Sequence, residues 1–207
     1  MDVVFAICAG VGLAAACGLR VFVPMLALSA ACAFGFIDPP AGMKWLDSAT
    51  AVFVFGVATG VEVAAYYVPW LDHALDTITT PGSVVAGTVA VAAMMPDLHP
   101  SVRWSLALVA GGGAAGIVQT GSVLTRAVSG ATTGGIGNPV VSTLELVGSI
   151  LLTILALLLP VLAALLVIML IVWTFRAILR WRRARAVSTP SPLRGERGGV
   201  RGETFDG

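Results

Sequence analysis

Two apolar stretches of the chain each carry three polar side chains with the same spacing, at positions i, i+3 and i+7. The stripes are Thr59, Glu62 and Tyr66 in the first half and Ser142, Glu145 and Ser149 in the second. On a helix this spacing places the three side chains of a stripe on one face. An ionisable group inside a bilayer costs on the order of 3 kcal/mol to insert, so both glutamates are candidate functional residues.

Two arginines, Arg20 and Arg126, are the natural counter-charges for these glutamates. A buried carboxylate can stay ionised near an arginine, and it needs such a partner to do so. One hypothesis is a polar site that binds an ion, a proton or a small polar solute. The other is a pair of buried Arg–Glu interactions that only fix the helix register. The sequence favours neither.

The polar stretch from 131 to 139 lies between Arg126 and Glu145 and ends in Asn138-Pro139. A capping side chain followed by proline is typical of a helix start. The free N–H groups of such a start can face an anion. The stretch is therefore either a re-entrant loop that lines a pathway, which adds Asn138 to the polar site, or an ordinary connection.

A second candidate set is Asp72, His73 and Asp76. The two carboxylates are four residues apart, on one face if the segment is helical, with the histidine beside them. Such a set could hold a divalent metal ion, although the spacing is not diagnostic. The alternative is a group of solvated side chains at a membrane border.

The composition indicates a membrane protein with several spans. Hydrophobic residues make up 57% of the 207 residues and charged residues only 11%, too few for the polar surface of a soluble domain. Cys8, Cys17 and Cys32 have no metal or disulfide spacing and are interpreted as packing residues. Because no nucleophile triad, H-E-x-x-H motif or paired Cys/His set appears, the sequence predicts neither an enzyme nor a cofactor.

Six apolar segments are long enough, or nearly long enough, to cross a bilayer of about 30 Å. They are residues 3 to 36, 49 to 69, 81 to 96, 104 to 125, 139 to 159 and 161 to 179. The first is too long for one straight helix and is interrupted by Gly18, Arg20 and Pro24, so the alternatives are six or seven spans. Thr80-Pro81 is predicted to start the third helix, and Pro160 to mark a tight hairpin.

The predicted fold is an all-α bundle of about six transmembrane helices in the inner membrane, with both termini in the cytoplasm. Arginines crowd after the last span, which places the C-terminus inside and is not interpreted as a nucleic-acid patch. They are Arg176, Arg180, Arg182, Arg183 and Arg185. The transmembrane domain covers residues 1 to 180. Residues 187 to 207, rich in Ser, Pro, Gly and Arg, are predicted to form a disordered cytoplasmic tail.

The repeated stripe also raises an internal duplication of residues 1 to 97 and 102 to 180. Three spans in each copy would force the copies into opposite orientations, as in many secondary transporters. The alternative is chance self-similarity of a sequence rich in Ala, Gly, Val and Leu.

Several motifs occur together in a recognisable order. They are Ala-Cys-Gly-Leu-Arg-Val-Phe-Val-Pro at 16 to 24, the stretch from Glu62 to Asp72 with Asp76 and Pro81, Ala-Gly-Gly-Gly at 110 to 113, and Ala-Thr-Thr-Gly-Gly-Ile-Gly-Asn-Pro at 131 to 139. Over residues 1 to 180 the chain resembles the bacterial membrane family called domain of unknown function 4126. The resemblance implies an integral inner-membrane protein and no particular activity.

The sequence thus predicts a transporter or channel for a small polar solute or ion, surrounded by lipid and with a homo-oligomer as one arrangement. The alternative is a structural membrane module that stabilises a partner or the bilayer, in which the charges only hold helices together. A third hypothesis, a membrane enzyme acting on lipid, would have to use Asp72, His73 and Asp76.

Overall fold

The computed structural model describes residues 3–95 and 98–187, with the backbone alone at 69–75, 174–175 and 177–187. All regular elements in these residues are helices, which confirms the all-α class. They are α1 (Val3–Cys17), α2 (Phe22–Ala33), a 3₁₀ helix (Ala41–Asp47), α3 (Ala49–Ala65), α4 (Pro69–Ala93), α5 (Pro100–Leu106), a π-helical turn (Ala107–Gly112), α6 (Gly113–Thr133), α7 (Asn138–Leu158) and α8 (Pro160–Val187). The chain divides into two units, residues 1–172 and residues 173–207.

Helix α1 is the centre of the first unit. Its 15 residues are mostly Ala, Gly and Val, and nine of them are buried. A helix that is apolar on every side is stable only where other helices surround it, and α4, α6 and α7 all pack on α1. Small residues allow this close approach.

The helices around α1 alternate in direction. Gly10 of α1 lies against Val91 of α4, and Ala14 lies against Gly87, so α4 is antiparallel to α1. The π-helical turn continues this packing, because Gly111 also lies against Gly87 and Val91. Farther along, Gly116 of α6 approaches Val84 of α4. Helix α6 is therefore antiparallel to α4 and parallel to α1.

The connection at Pro160 is the predicted hairpin. Ala156 of α7 and Ala163 of α8 both lie against Gly12 of α1. Toward the other end of α1, the Ser149 hydroxyl of α7 donates to the Ala16 carbonyl at 3.2 Å. On α8, Val167 packs in one cluster with Ala15. Helix α7 is therefore antiparallel to α1, and α8 returns parallel to it.

Helices α2 and α3, which follow α1 and precede α4 in the chain, form an antiparallel pair. Residues 18 to 21 separate α1 from α2, so the long first apolar segment is broken, as its glycine and proline indicated. Leu26 of α2 approaches Gly56 of α3, and the Ser29 hydroxyl donates to the Leu46 carbonyl at 2.6 Å. The N-terminus of α3 is capped by Ser48, whose hydroxyl accepts from the Ala51 N–H at 3.1 Å.

The predicted helix start at Thr80-Pro81 is wrong, because α4 runs through Pro81 from Pro69. Neighbouring hydroxyls occupy carbonyls around the proline, the usual compensation in membrane helices. Thr80 donates to the Asp76 carbonyl at 2.6 Å and Ser83 donates to the Thr80 carbonyl at 2.9 Å. A proline inside a helix therefore looked like a helix start in the sequence.

Two helical stretches in the described residues are long and apolar enough to cross a membrane. One is residues 100–133, in which α5, the π-helical turn and α6 are continuous, and the other is α7, residues 138–158. A third qualifies if the 3₁₀ helix and α3, bent by 61° at their junction, count as one span. Outward faces of α7 and α8 expose large apolar side chains such as Leu151, Leu158 and Ile168, typical of lipid-facing helices. The structure is thus compatible with a membrane protein. Of the predicted tail, residues 188–207 lie outside the described residues.

Candidate functional site

Six side chains from five parts of the fold meet inside the bundle, and we call them the polar cluster. They are Arg20 from the α1–α2 turn, Glu62 and Tyr66 from α3, Asp76 from α4, Arg126 from α6 and Glu145 from α7. Five of the six are at most 8% exposed, and Asp76 is half-buried. Charges buried this far are stable only when other groups in the protein replace their water.

Glu62 binds the N-terminus of α2. Its Oε1 accepts from the Val21 N–H at 2.9 Å, and its Oε2 accepts from the Phe22 N–H at 3.1 Å. These N–H groups have no partner within the helix, and the positive end of the helix dipole favours a carboxylate there. The break between α1 and α2 therefore places an anion-binding backbone inside the bundle, and Glu62 fills it.

Arg126 joins three helices. Its Nη1 lies 2.7 Å from Asp76 Oδ1 and its Nε lies 3.5 Å from Glu145 Oε1. Its Nη2 donates to the Ser122 hydroxyl at 2.7 Å, and that hydroxyl donates in turn to Glu145 Oε1. Of the two counter-charges expected from the sequence, Arg126 thus lies beside a predicted glutamate and also holds Asp76.

Tyr66 lies between these groups. The guanidinium carbons of Arg20 and Arg126 are 3.9 and 4.6 Å from its ring centroid, within the range of cation–π attraction. Its hydroxyl donates to Asp76 Oδ1 at 3.3 Å and is 3.3 Å from the Thr79 hydroxyl. One buried aromatic ring therefore lies against two buried cations.

Arg20 is less completely bound than Arg126. Its Nη2 donates to the Ser142 carbonyl at 2.7 Å, but within the described residues its Nε and Nη1 have no hydrogen-bond partner. The same is true there of Ser142 Oγ and Glu145 Oε2. Arg20 is 2% exposed, Ser142 1% and Glu145 8%. Two donors, one hydroxyl and one carboxylate oxygen thus retain binding capacity close to one another.

Two predicted site residues, Thr59 and Ser149, use their hydroxyls in other contacts. The Thr59 hydroxyl donates to the Phe55 carbonyl of its own helix at 2.7 Å. Ser149 binds α1, as described above. Asn138 is buried at the first position of α7, seven residues before Glu145.

Of the three predicted metal ligands, only Asp76 has a side chain that the structure describes. Asp76 is bound to Arg126 and Tyr66, whereas the side chains of Asp72 and His73 lie outside the described part of the chain. Elsewhere in the described residues, no three His, Cys, Asp or Glu side chains converge on a possible metal position.

The sequence reasoning did not assign Gln119, Ser122 or Thr79 to the site. Gln119 Nε2 donates to the Thr79 hydroxyl at 3.4 Å, which extends the hydrogen bonds from Tyr66 onto α6. A signal for all three was present. Asp76, Thr79 and Ser83 on α4 and Gln119, Ser122 and Arg126 on α6 have the same i, i+3, i+7 spacing as the two stripes that were recognised.

Comparison with known proteins places the chain in a family. None of the curated proteins and none of the solved structures matches it. Residues 7–180 match the family described as Domain of unknown function (DUF4126). That match spans most of the chain and contains every residue of the polar cluster. The chain therefore belongs to the DUF4126 family, as its motifs indicated.

Proposed function

We propose that this protein is a membrane transporter or channel that moves a small polar solute or ion by way of the polar cluster. The observation that carries the proposal is a group of buried polar atoms in and beside the polar cluster that lack a hydrogen-bond partner in the described residues: Arg20 Nε and Nη1, Ser142 Oγ and Glu145 Oε2. A buried polar group without a partner costs about 1 to 3 kcal/mol. Such groups are retained where they bind something.

The competing function is a structural module in which the charges only hold helices together. The contacts of Arg126 and Glu62 support it, since both side chains are bonded on more than one atom. A network selected only for stability is expected to be satisfied throughout. Arg20 and Glu145 do not meet that expectation, and transport is therefore the preferred proposal.

Helix directions support a specific membrane topology. Helices α1, α4, α6, α7 and α8 alternate, and the α2–α3 pair leaves the polar-cluster end and returns to it. Seven alternating segments put the termini on opposite sides, whereas six spans would put both in the cytoplasm. In this arrangement α2 to α4 run opposite to α6 to α8, so the proposed inverted 3+3 repeat excludes α1, which becomes an additional central helix.

Charge supports the cytoplasmic side for the polar-cluster end. Arg20 and Arg126 lie at that end, and α8 runs toward it as far as Val172, after which the sequence continues into the arginines from 176 to 185. The loop from 34 to 48 at the opposite end contains a single lysine, Lys44, and no arginine. Because basic residues favour the cytoplasm, we place the C-terminus inside, the N-terminus outside and the protein in the inner membrane.

The test compares wild type with Glu145→Gln and, as a matched control on the same helix, Thr153→Val. The Thr153 side chain is also buried, and its hydroxyl likewise lacks a hydrogen-bond partner among the described residues. Thermal unfolding in detergent measures stability. Proteoliposomes containing a pH-sensitive dye measure proton flux, with and without added solutes such as glycine, choline and lactate.

Transport predicts that wild-type liposomes show a flux, that Glu145→Gln folds but loses or alters it, and that Thr153→Val retains it. A structural role predicts that Glu145→Gln unfolds easily, because Arg126 loses a charged partner, and that no liposome shows a flux above empty vesicles. That second result would end the transport proposal.

A further inference from the structure

We propose that Glu145 is a proton-binding site, and that the polar cluster holds one exchangeable proton on the Oε2 atom of this side chain. The inference rests on the proposed transport function and deepens it by naming a proton as the ion that the cluster carries. Two features of the cluster support it: the balance of its charges, and the hydrogen bonds that its carboxyl oxygens already make.

The described side chains of the polar cluster contain more acids than bases. Its two arginines can balance two carboxylates, but it contains three carboxyl groups, those of Glu62, Asp76 and Glu145. A net charge is costly where water is excluded, and one of several carboxyl groups that share a site takes up a proton for that reason. One bound proton makes these five side chains neutral as a group.

The contacts of the three acids identify the one that takes the proton. Both oxygens of Glu62 accept from backbone N–H groups, at 2.9 and 3.1 Å, and such bonds favour the ionised form. Asp76 Oδ1 lies 2.7 Å from Arg126 Nη1, which also favours a carboxylate. Arg126 approaches Glu145 less closely, with its Nε at 3.5 Å. Glu145 is therefore the acid whose negative charge is least compensated.

A second observation points to the same carboxyl group. Glu145 is 8% exposed, and its Oε1 accepts from the Ser122 hydroxyl, but its Oε2 is buried and has no hydrogen-bond partner among the described residues. Ser142 lies one turn earlier on the same face of α7. It is 1% exposed, and its hydroxyl also lacks a partner in that part of the chain. A proton on Oε2 forms an O–H bond, for which the Ser142 oxygen is an available acceptor.

A proton fits this position better than a metal ion does. Ca²⁺ and Mg²⁺ take about six oxygen ligands, whereas Glu145 Oε2 and Ser142 Oγ supply two, and the arginines of the cluster repel a metal cation. The other titratable or charged groups that face Glu145 come from the elements packed around it. They are Arg126 of α6, Arg20 of the α1–α2 turn, Asp76 of α4, Glu62 and Tyr66 of α3, Tyr67 after α3 and Cys17 of α1.

The test is infrared spectroscopy of the full chain at about pH 7, in a detergent without ester groups. Exposed acids are ionised at this pH, so the carbonyl stretch of a protonated carboxyl group reports a buried acid. For wild type we expect such a band, and we expect it to shift in D₂O because the proton exchanges. The band should be absent from Glu145→Gln. It should remain in Asp47→Asn, which removes an exposed acid at the opposite end of the bundle.

A further variant keeps the test decisive if Glu145→Gln does not fold. Glu145→Asp keeps a carboxyl group but changes its surroundings, so the band should move rather than disappear. Three results would overturn the inference. They are a wild type without a protonated-carboxyl band or with one that does not shift in D₂O, a folded Glu145→Gln that keeps the whole band, and a folded Glu145→Asp that leaves it unmoved.

The proposed function fails separately from the proton site. If the band is assigned to Glu145 but no liposome shows a flux, the proton site stands and transport is wrong. If wild-type liposomes move a solute and the wild-type protein shows no protonated-carboxyl band, transport stands and the proton site is wrong.

Discussion

Arg126 of α6 and Asp76 of α4 are paired inside the bundle, with Nη1 2.7 Å from Oδ1. The Arg126 side chain is 3% exposed and that of Asp76 17%. The sequence made Asp76 a candidate metal ligand. In the structure its carboxylate is paired with the Arg126 guanidinium. The pair connects the stripe on α4 with the stripe on α6, and through Glu145 with α7.

We expect Asp76→Asn to destabilise the protein by about 3 kcal/mol, because removing one partner of a buried ion pair leaves the other charge poorly compensated. Asp76→Glu keeps the charge and should lose clearly less. Denaturant or thermal unfolding in detergent measures both. A metal-binding role would instead make wild type, but not Asp76→Asn, more stable when Mg²⁺ or Zn²⁺ is added.

Tyr66 allows a separation of its ring from its hydroxyl. Tyr66→Phe keeps the ring beside Arg20 and Arg126 but loses the hydroxyl contacts with Asp76 and Thr79, which should cost about 1 kcal/mol. Tyr66→Leu also removes the cation–π contacts and should cost a further 1 to 2 kcal/mol or so. Equal stability of the two variants, measured by thermal unfolding, would show that the ring does not hold the arginines.

Side-chain spacing predicted much of the candidate site. Glu62, Glu145, Arg20 and Arg126 were selected because charges are rare in apolar helices, and the structure brings all four into one cluster. The stripe on α4 was missed because this helix was predicted to begin at Pro81, which placed Asp76 and Thr79 outside any helix. The stripe on α6 was missed because the fourth apolar segment was predicted to end at residue 125, before Arg126. Polar stripes with this spacing occur on four helices that share one polar interior. The spacing is therefore not particular to one helix in each half, and it supports a duplication less than it did when only two stripes were recognised.

Other features depend on tertiary contacts and had no local signal. The sequence showed that the first apolar segment is interrupted near Arg20. It did not show that Glu62 would bind the backbone of the interruption, because that contact joins residues far apart in the chain. Likewise Thr59 shares the spacing of Glu62 and Tyr66, but its hydroxyl bonds to its own helix, as threonines in helices commonly do.

The contact of α4 with the π-helical turn depends on two glycines. A methyl group at Gly87 would lie 2.6 Å from Ala115 Cβ and 2.8 Å from the Gly111 carbonyl oxygen. We expect Gly87→Ala to destabilise by about 1 to 3 kcal/mol, because the two helices must move apart. Gly82 is the matched control, since nothing lies within 4 Å of its added methyl group. Gly82→Ala should be neutral or up to about 1 kcal/mol more stable.

Thermal unfolding of the two variants side by side decides whether this packing matters. If Gly87→Ala is as stable as Gly82→Ala, the contact between α4 and the turn is looser than described. The position of the π-helical turn beside this contact makes a second measurement useful, because π-helical turns commonly occur at functional sites. Proteoliposome flux of Gly87→Ala should fall if movement of α4 against the turn contributes to transport.

The two termini provide the sharpest test of topology. The arrangement of seven alternating segments and the arrangement of six spans place every later loop on the same side of the membrane. They differ in the side of the N-terminus, because only the first arrangement counts α1 and α2 as separate segments. With Cys8, Cys17 and Cys32 replaced by alanine, Asp2→Cys and Gly207→Cys provide one thiol at each end. We expect a membrane-impermeant maleimide to label Asp2→Cys in intact cells and Gly207→Cys only after lysis. Labelling of both variants only after lysis would support six spans, and α1 and α2 would then have to cross the bilayer as one broken helix.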